Sequence, residues 1–402
     1  MKILHTADWH LGKRLDNFYR LEEQKLVLNE ICEIADEQDV DAVIVAGDLF
    51  DAFNPPVEAI ELMYKTLKRL TNNGKRPVIA IAGNHDSPNR IDSPDPLARE
   101  CGILFMGLPN TKIQTLQLED GFEIIDTDEG FMEFKLPNYS YPLRIIATPY
   151  ANEVRMKEYL GEEKDVGLQN SLKSGWKKIA DTYCDNNGVN MLITHLYMLK
   201  RGGDILEEPD GEKPLRIGNA DLIYSDAIPS QIQYTALGHL HRYQNVGSEE
   251  QPVVYSGSPL AYSFAEAGQQ KYVGIIKAEP YKKTKIERIP LKSGKQLVCK
   301  KFDSIDKAVA WLTENQNTLV ELTIESDDYL KAEDLKRLRS AHKEIVHIIP
   351  IVTNDDMLDL KTKQVNLNQD ITALFTDYFK SAKGQNPNKE ILDLFKEVVN
   401  QK

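Results

Sequence analysis

Short apolar runs that each end in glycine or polar residues recur near the start of the chain, and they constrain its fold more than any other feature. Runs rich in Val, Ile and Ala occupy residues 3–7, 42–47 and 77–82. Between them, residues 20–38 and 57–71 carry apolar positions at helical spacing. Strands that alternate with helices indicate βαβ units around a largely buried sheet. The sequence therefore predicts an α/β domain.

The remainder of the chain shows three further patterns. Strand and helix signals continue to residue 290, and a strand, helix, strand, helix, strand succession then predicts a compact α+β unit. A polar stretch and two amphipathic helices follow. A length of 402 residues allows two or three domains of ordinary size. We therefore divide the chain into an α/β domain over 1–290, an α+β unit over 291–353, a linker over 354–369 and a helical tail over 370–402.

The composition excludes several classes of protein. Hydrophobic residues make up 41% of the chain and charged residues 28%, which is typical of a globular protein and not of a disordered or fibrous one. The longest apolar runs are far shorter than the ~20 residues of a membrane span, and the first residues lack the apolar core of a secretory signal. Four widely spaced cysteines argue against a disulfide framework or a thiolate zinc site and favour a reducing cytoplasm.

The net charge of −13 does not indicate a nucleic-acid-binding protein, but the charge is unevenly distributed. Residues 282–301 hold eight lysines and arginines against Glu287 alone. An acidic chain can carry one local basic strip of this kind. Charge alone leaves two interpretations of the strip open, a solvated pair of strands or a contact to DNA.

Side chains that can bind metal ions stand at the ends of five predicted strands. Residues two apart on a strand share a face, so the pairs in D-x-H and H-x-H can each reach one ion. The carboxyl ends of strands in an α/β sheet are also where such sites are expected. His5, inside a strand, is interpreted as structural. Each motif alone is a weak signal, but together they predict a metal site built from Asp8, His10, Asp48, Asn84, His195, His239 and His241.

Seven ligands exceed what one ion requires, so the sequence predicts two divalent ions. Two ions about 3.5–4 Å apart need a shared carboxylate, and Asp48 is the natural bridge. Carboxylate, imidazole and amide ligands without a thiolate favour Mn²⁺, with Fe²⁺ and Zn²⁺ as alternatives. Such a pair clamps a phosphoryl group and activates a water molecule. His85 directly follows a ligand and is the candidate catalytic residue, and Asp86 is the candidate partner that holds its tautomer.

The motifs, in their order along the chain, resemble those of the calcineurin-like metallophosphoesterases. They are D-x-H, G-D, G-N-H-D, a lone histidine and G-H-x-H. The segments HTADWHLG, VAGDLFD, AGNHDS, ALGHLHRYQ and YSGSPLAYSF resemble more narrowly the nuclease subunits of bacterial SbcCD complexes. The resemblance implies a four-layer sandwich with a small α+β capping domain and C-terminal helices. It also implies a Mn²⁺-dependent nuclease that hydrolyses phosphodiester bonds at DNA double-strand ends and hairpins, in repair and recombination.

Carried over residue by residue, the resemblance assigns a ligand set to each ion. His85 would be the catalytic histidine. Some archaeal relatives have another histidine soon after the G-D motif, where this chain has Asp51, so a second acid–base histidine is not expected. One ion would be held by Asp8, His10, Asp48 and His241, and the other by Asp48, Asn84, His195 and His239.

The resemblance also implies partners. It implies a homodimer of nuclease subunits joined to two SbcC-like subunits, which are SMC-type ATPases, and a capping domain that helps to bind DNA. The chain has no G-x-x-x-x-G-K-[ST] motif, so any ATP dependence must come from another chain. The apolar stripes of the tail helices, which include Phe375, Phe379 and Phe395, suit docking on a partner coiled coil. The alternative is a tail that folds back on its own domain.

Two other functions remain open at the level of sequence. One is a metallophosphoesterase that acts on a small nucleotide or a phosphoprotein. Phosphoprotein phosphatases of the superfamily typically have an arginine soon after G-D, whereas this chain has LFDAFNPP. The other is a scaffold that kept the fold without activity, which the complete ligand set argues against.

Overall fold

The computed structural model describes most residues before the C-terminal tail and a few within it. They are residues 1–161, 164–203, 222–326, 330–352, 372, 374–376, 379, 387, 391–392 and 394–395. The linker predicted over 354–369 lies outside the described residues, as does much of the tail predicted over 370–402. The chain divides into two compact units, Met1–Cys299 with Asn317–Glu321 and Lys300–Gln316 with Leu322–Lys402. None of the helices in the described ranges combines the length and apolar character that crossing a membrane requires.

Strands and helices alternate in the first unit as the sequence predicts, and we number both in chain order. Its helices are α1 (Leu21–Glu37), α2 (Val57–Leu70), α3 (Pro88–Asp92), α4 (Asp95–Glu100), α5 (Glu153–Met156) and α6 (Lys164–Tyr183). Its strands are β1 (Lys2–Thr6), β2 (Arg14–Leu15), β3 (Phe18–Tyr19), β4 (Ala42–Val45), β5 (Val78–Ile81), β6 (Ile103–Met106), β7 (Leu116–Gln117), β8 (Glu123–Asp128), β9 (Phe131–Lys135), β10 (Leu143–Thr148), β11 (Val189–His195), β12 (Tyr197–Leu199), β13 (Leu222–Tyr224), β14 (Tyr234–Gly238), β15 (Gln244–Asn245), β16 (Val253–Tyr255), β17 (Tyr272–Lys277) and β18 (Lys285–Pro290).

Six strands form the first sheet, in the order β18, β17, β1, β4, β5, β6. Strands β1, β4, β5 and β6 run parallel, and β17 pairs with β1 in the antiparallel sense. The parallel strands are buried on both faces, which explains their nearly continuous apolar sequence. Leu4 and Val43 belong to a core with α1 and α2, whereas Ile3 and Ile44 belong to a core with the second sheet.

Eight strands form the second sheet, in the order β15, β16, β14, β11, β10, β9, β8, β7. Strands β10, β11, β14 and β16 run parallel, and β8 with β9 forms a hairpin within the strand-rich region predicted over 112–148. Helix α6 covers the outer face of this sheet through Leu168, Leu172 and Trp176. Its apolar stripe follows the helical spacing that the sequence shows near 168–185.

The two sheets stack face to face, with α1 and α2 outside one and α6 outside the other. The predicted four-layer α/β sandwich is therefore confirmed. Because β1, β4 and β5 run parallel, as do β11 and β14, the polar residues that follow each set gather at one end of their sheet. Contacts between the two sets, described below, place both groups at the same edge of the stack.

The succession predicted after residue 290 is present as strand, helix, strand, helix, strand. Strands β19 (Gln296–Phe302), β20 (Thr318–Ser326) and β21 (Ile345–Val352) form a three-stranded sheet, and α7 (Ile305–Glu314) and α8 (Ala332–Ala341) connect them. The boundary of the two compact units falls within β19, and the domain bounds derived from the sequence stay a prediction. Among the described tail residues, the rings of Phe375 and Phe395 stack with centroids 4.0 Å apart.

Candidate metal centre

Loops and strand ends bring the predicted ligands together. Their six carboxylate and imidazole side chains are at most 2% exposed, and Asn84 is partly buried. His5 lies apart from them in β1, where its Nδ1 is 2.9 Å from the hydroxyl of Tyr234. The elements supply the ligands as follows: Asp8 and His10 come after β1, Asp48 after β4, Asn84 after β5, His195 at the end of β11, and His239 and His241 after β14.

Four of these residues have backbone angles that L-amino acids rarely adopt. The φ angle is +55° at Asp8, +43° at His10, +49° at Asp48 and +107° at His239. Such angles cost of order 1–3 kcal/mol each and persist only where the surrounding structure enforces them. The N–H of Asp8 donates to the Gly47 carbonyl and that of His10 to the Asp48 carbonyl, both at 3.0 Å. The loops are thus fixed in conformations that turn polar side chains toward one another.

The carboxylate of Asp48 lies in the middle of the group. Its Oδ2 atom is 3.3 Å from Nε2 of His195 and 3.6 Å from Nε2 of His10. Nε2 of His10 is also 3.0 Å from Nε2 of His241, and Nε2 of His195 is 3.0 Å from Oδ1 of Asn84. Nε2 is therefore the ring nitrogen that faces the centre in His10, His195 and His241.

Three compact groups of potential ligand atoms overlap here, with the ligand atoms in each group within 4.8 Å of one another. They are Asp8, His10 and His241; Asp8, Asp48 and His195; and His10, Asp51 and His85. Asp8 is common to the first two groups and His10 to the first and third, although the sequence assigned only Asp48 to two ions. His239 lies further out, with its ring centroid 5.6 Å from that of His195. Overlapping groups are the arrangement expected for two neighbouring ions.

The chemistry of these atoms fits divalent metal ions. Oδ2 of Asp8 is buried and accepts no hydrogen bond from any residue that the structure describes. Burying a carboxylate oxygen in this way is costly unless a cation or a donor meets it. Carboxylates, imidazoles and an amide, with no thiolate among them, are ligands of Mn²⁺, Fe²⁺ and Zn²⁺.

Asp48 and His195 stabilise each other's charged forms at the centre. Burial disfavours the ionised form of Asp48, but the charge and hydrogen bond of His195 outweigh burial and keep the pKa of Asp48 well below its usual range. Burial also disfavours the imidazolium of His195, but Asp48 and then Asp8 raise its pKa to about 9. A metal ion that binds through Nε2 of His195 must therefore displace a proton.

Contacts to Nδ1 orient the rings of His195 and His10. Nδ1 of His195 donates to the carbonyl of Ala46 at 2.9 Å. Nδ1 of His10 lies 3.5 Å from Oδ1 of Asp51, which also pairs with Lys13 at 3.0 Å. Burial opposes the ionisation of Asp51, but His10 and Lys13 outweigh it and lower the pKa of Asp51 to about 2. Such contacts fix the tautomer whose Nε2 can bind a metal.

The third histidine, His241, is oriented by a carboxylate that sequence reasoning missed. Nδ1 of His241 is 3.3 Å from Oε1 of Glu266, which is 2% exposed. Glu266 stands in no metal-binding motif. Its one signal in the sequence is a carboxylate shortly after the segment YSGSPLAYSF.

The candidate catalytic histidine, His85, lies beside the centre. Its ring centroid is 4.7 Å from that of His10, and its backbone N–H donates to Oδ1 of Asp48 at 2.8 Å. Nδ1 of His85 donates to the backbone carbonyl of Asp51 at 2.7 Å. Nδ1 therefore carries the hydrogen of the neutral ring, and Nε2 is the nitrogen with the free lone pair.

The prediction that Asp86 holds the tautomer of His85 is wrong. The carboxylate of Asp86 accepts hydrogen bonds from the backbone N–H groups of Gly83, Leu49 and Phe50, at 2.8, 3.0 and 2.9 Å. It therefore ties the loop after β5 to the loop after β4. Adjacency in the sequence misled here, because consecutive residues in a tight turn point in different directions.

Close packing explains the glycines of the motifs. A Cβ atom at Gly83 would lie 2.1 Å from Oδ1 of Asp48, and one at Gly47 would lie 2.3 Å from Nδ1 of His195. Real Cβ atoms do not approach this closely, so any side chain here would displace a ligand. The guanidinium of Arg155, another residue that sequence reasoning missed, supports the same loop by donating to the carbonyl of Gly83 at 2.8 Å.

Comparison with known proteins assigns the family. The calcineurin-like phosphoesterase family matches residues 1–256. The SbcD subunit of the nuclease SbcCD from Bacillus subtilis (strain 168) is 34% identical over 409 residues, which cover 99% of this chain and 98% of that protein. The SbcD subunit from Staphylococcus epidermidis is 29% identical over 302 residues, covering 74% of this chain and 71% of that protein. Among solved structures, a dimetal phosphatase from Danio rerio covers 73% of this chain and 99% of its own, at 11% identity and a TM-score of 0.39.

Proposed function

We infer that this chain, which belongs to the calcineurin-like phosphoesterase family and to the SbcD nucleases within it, is a DNA nuclease subunit. Its reaction is the metal-dependent hydrolysis of phosphodiester bonds at DNA double-strand ends and in hairpins, in repair and recombination. The observation that supports this most is the position of Asp48 Oδ2 between His195, at 3.3 Å, and His10, at 3.6 Å. Two ions that share a carboxylate suit an in-line displacement at phosphorus.

The proposed ions are Mn²⁺, because the donors mix carboxylate and amide oxygens with imidazoles and include no thiolate. When bound, they supply a Lewis acid and an activated water molecule. The protein contributes a buried set of ligands that is already assembled. Four of these ligands are held at backbone φ angles that L-amino acids rarely adopt. The proposed ligand sets are Asp8, His10, Asp48 and His241 for one ion and Asp48, Asn84, His195 and His239 for the other.

His85 is the proposed general acid. As imidazolium it gives the proton on Nε2 to the leaving oxygen, and the carbonyl of Asp51 keeps the remaining hydrogen on Nδ1. The 2.7 Å contact to that carbonyl stabilises both charge states, since Nδ1 donates in each of them. A positioned general acid of this kind contributes about 10²–10⁴ in rate.

The proposed substrate contact includes part of the basic strip over 282–301. Three of its lysines are already paired, since Nζ of Lys282 is 2.5 Å from Glu279, Nζ of Lys283 is 3.0 Å from Glu250 and Nζ of Lys301 is 2.6 Å from Glu325. The guanidinium of Arg288 instead lies over the ring of Tyr272, 5.3 Å from its centroid. An arginine beside an aromatic ring can contact both phosphate and base, so Arg288 is the residue of the strip that we assign to DNA.

The proposed partner is an SbcC-like SMC-type ATPase, bound through the C-terminal helices, with two nuclease subunits in a heterotetramer. The name of the Bacillus subtilis relative, which is one subunit of SbcCD and aligns over almost the whole chain, supports the SbcC-like partner. A DNA substrate would associate the complex with the nucleoid in the cytoplasm.

Cleavage of end-labelled hairpin and blunt duplex DNA tests the function directly. The assay compares Mn²⁺, Fe²⁺ and Zn²⁺, with and without the SbcC-like partner, and runs a cyclic nucleotide and a phosphopeptide in parallel. We expect DNA cleavage that depends on Mn²⁺ and is abolished by Asp48→Asn. Asp226→Asn, at an exposed carboxylate paired with Arg201, is the control and should cleave normally. Hydrolysis of the small substrates with intact DNA would overturn the proposal in favour of the alternative phosphoesterase.

A further inference from the structure

A buried ion pair lies behind His241, and no step of the proposed reaction uses it. Glu266 is 2% exposed and Lys271 is 8% exposed, and Nζ of Lys271 contacts Oε2 of Glu266 directly. Both residues lie in the first unit, Glu266 at the end of a 3₁₀ turn over Phe264–Glu266 and Lys271 just before β17. Burying two charges costs several kcal/mol per ion unless other contacts satisfy them, so the pair calls for an explanation.

The backbone fixes the carboxylate of Glu266 in one orientation. Its Oε1 atom accepts hydrogen bonds from the backbone N–H groups of Tyr262, at 3.0 Å, and Ser263, at 3.2 Å. Ser263 and Glu266 form a reciprocal capping box at the start of the turn. The carboxylate is therefore part of a rigid turn and does not sample several rotamers as an exposed glutamate would.

The pair contacts His241 at its ring and at its backbone carbonyl. Oε1 of Glu266 lies 3.3 Å from Nδ1 of the His241 ring. Nζ of Lys271 donates to the backbone carbonyl of His241 at 2.9 Å and to the hydroxyl of Ser258 at 3.1 Å. Ring and backbone of His241 are thus held by partners that also hold each other.

The histidine of the other ion position is oriented by a different kind of group. There, Nδ1 of His195 donates to the carbonyl of Ala46, which is a dipole and carries no net charge. His10, in the same ligand group as His241, does face a carboxylate, since its Nδ1 is 3.5 Å from Oδ1 of Asp51. A carboxylate behind an imidazole makes its Nε2 more basic than a carbonyl does, and loss of such a partner typically costs 10–100-fold in metal affinity.

We propose that Glu266 and Lys271 are positioning residues that orient His241 and make the ion position of Asp8, His10 and His241 the tighter of the two. The proposal rests on the metal assignment made under the proposed function. It predicts that the wild-type protein binds divalent ions in two steps of different affinity. The first step fills the position whose histidines face carboxylates, and the second fills the position of His195.

The test replaces the pair without changing its net charge. Glu266→Gln with Lys271→Met removes both buried charges at nearly constant volume, and the matched control is Glu287→Gln with Lys277→Met, an exposed pair in the same unit. Mn²⁺ binding is followed by calorimetry and by electron paramagnetic resonance, which distinguishes one bound ion from a coupled pair. We expect the first step to weaken by about 10–100-fold in the double variant and both steps to be unchanged in the control.

The tautomer of His241 provides a second readout. In the Zn²⁺ form, ¹⁵N chemical shifts of the imidazoles should show Nδ1 of His241 protonated in the wild type and a mixed or reversed tautomer in the double variant. Should the double variant fail to fold, Glu266→Asp keeps the charge pair but shortens the reach to Nδ1, and the first step should still weaken. If the wild type binds no ions, the proposed function fails. If the wild type binds two ions and the variants bind both as tightly, this inference alone fails.

Discussion

Replacing Asp48 with asparagine tests the bridging role with little change in shape. The side-chain oxygen of asparagine can still accept the N–H of His85, which donates to Oδ1 of Asp48 at 2.8 Å. The loop should therefore keep its conformation. What the substitution removes is the negative charge on Oδ2, which lies 3.3 Å from Nε2 of His195 and 3.6 Å from Nε2 of His10.

The size of the effect differs between the two ion positions. A divalent ion and a carboxylate 4 Å apart at an effective dielectric constant of 20 interact by about 8 kcal/mol, which corresponds to roughly six powers of ten in affinity. At His195 part of this loss is offset, because Asp48 contributes most to raising the pKa of His195 to about 9. At pH 7.5, displacing that proton costs the wild type about 2 kcal/mol, and the variant avoids this cost. The Coulomb term alone therefore gives upper limits of about 10⁶-fold for the loss of affinity at the His10 position and about 10⁴-fold for the loss at the His195 position.

Calorimetric titration with Mn²⁺ at pH 7.5, repeated in buffers of different ionisation enthalpy, measures both affinities and the protons released. The wild type should release a proton when the His195 position fills, and the Asp48→Asn variant should release less. Asp8→Asn is the comparison, because the proposed ligand sets give Asp8 to one ion although it lies in two of the ligand groups, and we expect its main effect at the His10 position. An Asp48→Asn protein that loses affinity for a single ion, with the other bound as in the wild type, would refute the bridging assignment.

Three further predictions concern His85, the glycine at position 83 and the C-terminal tail. His85→Ala should bind both ions normally and lose about 10²–10⁴ in DNA cleavage rate, and normal cleavage at full metal occupancy would contradict its role as general acid. Gly83→Ala should bind metal more weakly and melt at a lower temperature, because its Cβ would lie 2.1 Å from Oδ1 of Asp48. The control is Gly175→Ala in α6, where a Cβ would meet nothing within 4 Å, and its free energy of unfolding should rise by about 0.5–1 kcal/mol. Deleting 367–402 should abolish binding to the SbcC-like partner in a pull-down and leave Mn²⁺ affinity unchanged, and a truncated protein that melts several degrees lower but still binds the partner would favour a tail that folds back.

Much of the centre was predictable because it depends on chain direction and period. The carboxyl ends of parallel strands meet at one edge, so residues such as Asp8, Asp48 and Asn84 were expected near each other before any contact was known. The structure has them there, together with His195 and His241. The same logic predicted the alternation of strands and helices in the sandwich, since burial on both faces requires continuous apolar strands.

The contacts that orient the ligands could only be found in the tertiary structure. Glu266 is 25 residues from His241, and Asp51 is 34 residues from His85, so no periodicity relates the partners. The Asp86 hypothesis failed for this reason, because it used proximity along the chain where the true acceptor is a backbone carbonyl on another loop. A backbone carbonyl has no signature in a sequence, since every residue carries one.

The sequence by itself determined which residue types stand at the strand ends, because a buried strand must end in a polar turn and only a few side chains there can bind metal. The tertiary structure decided which ring nitrogen faces the centre, which groups orient the histidines and which glycines allow the close approach. Those features depend on distances of a few tenths of an ångström between loops of different strands. Such distances are set by sheet register and packing of the whole unit, and the linear pattern of residues does not contain them.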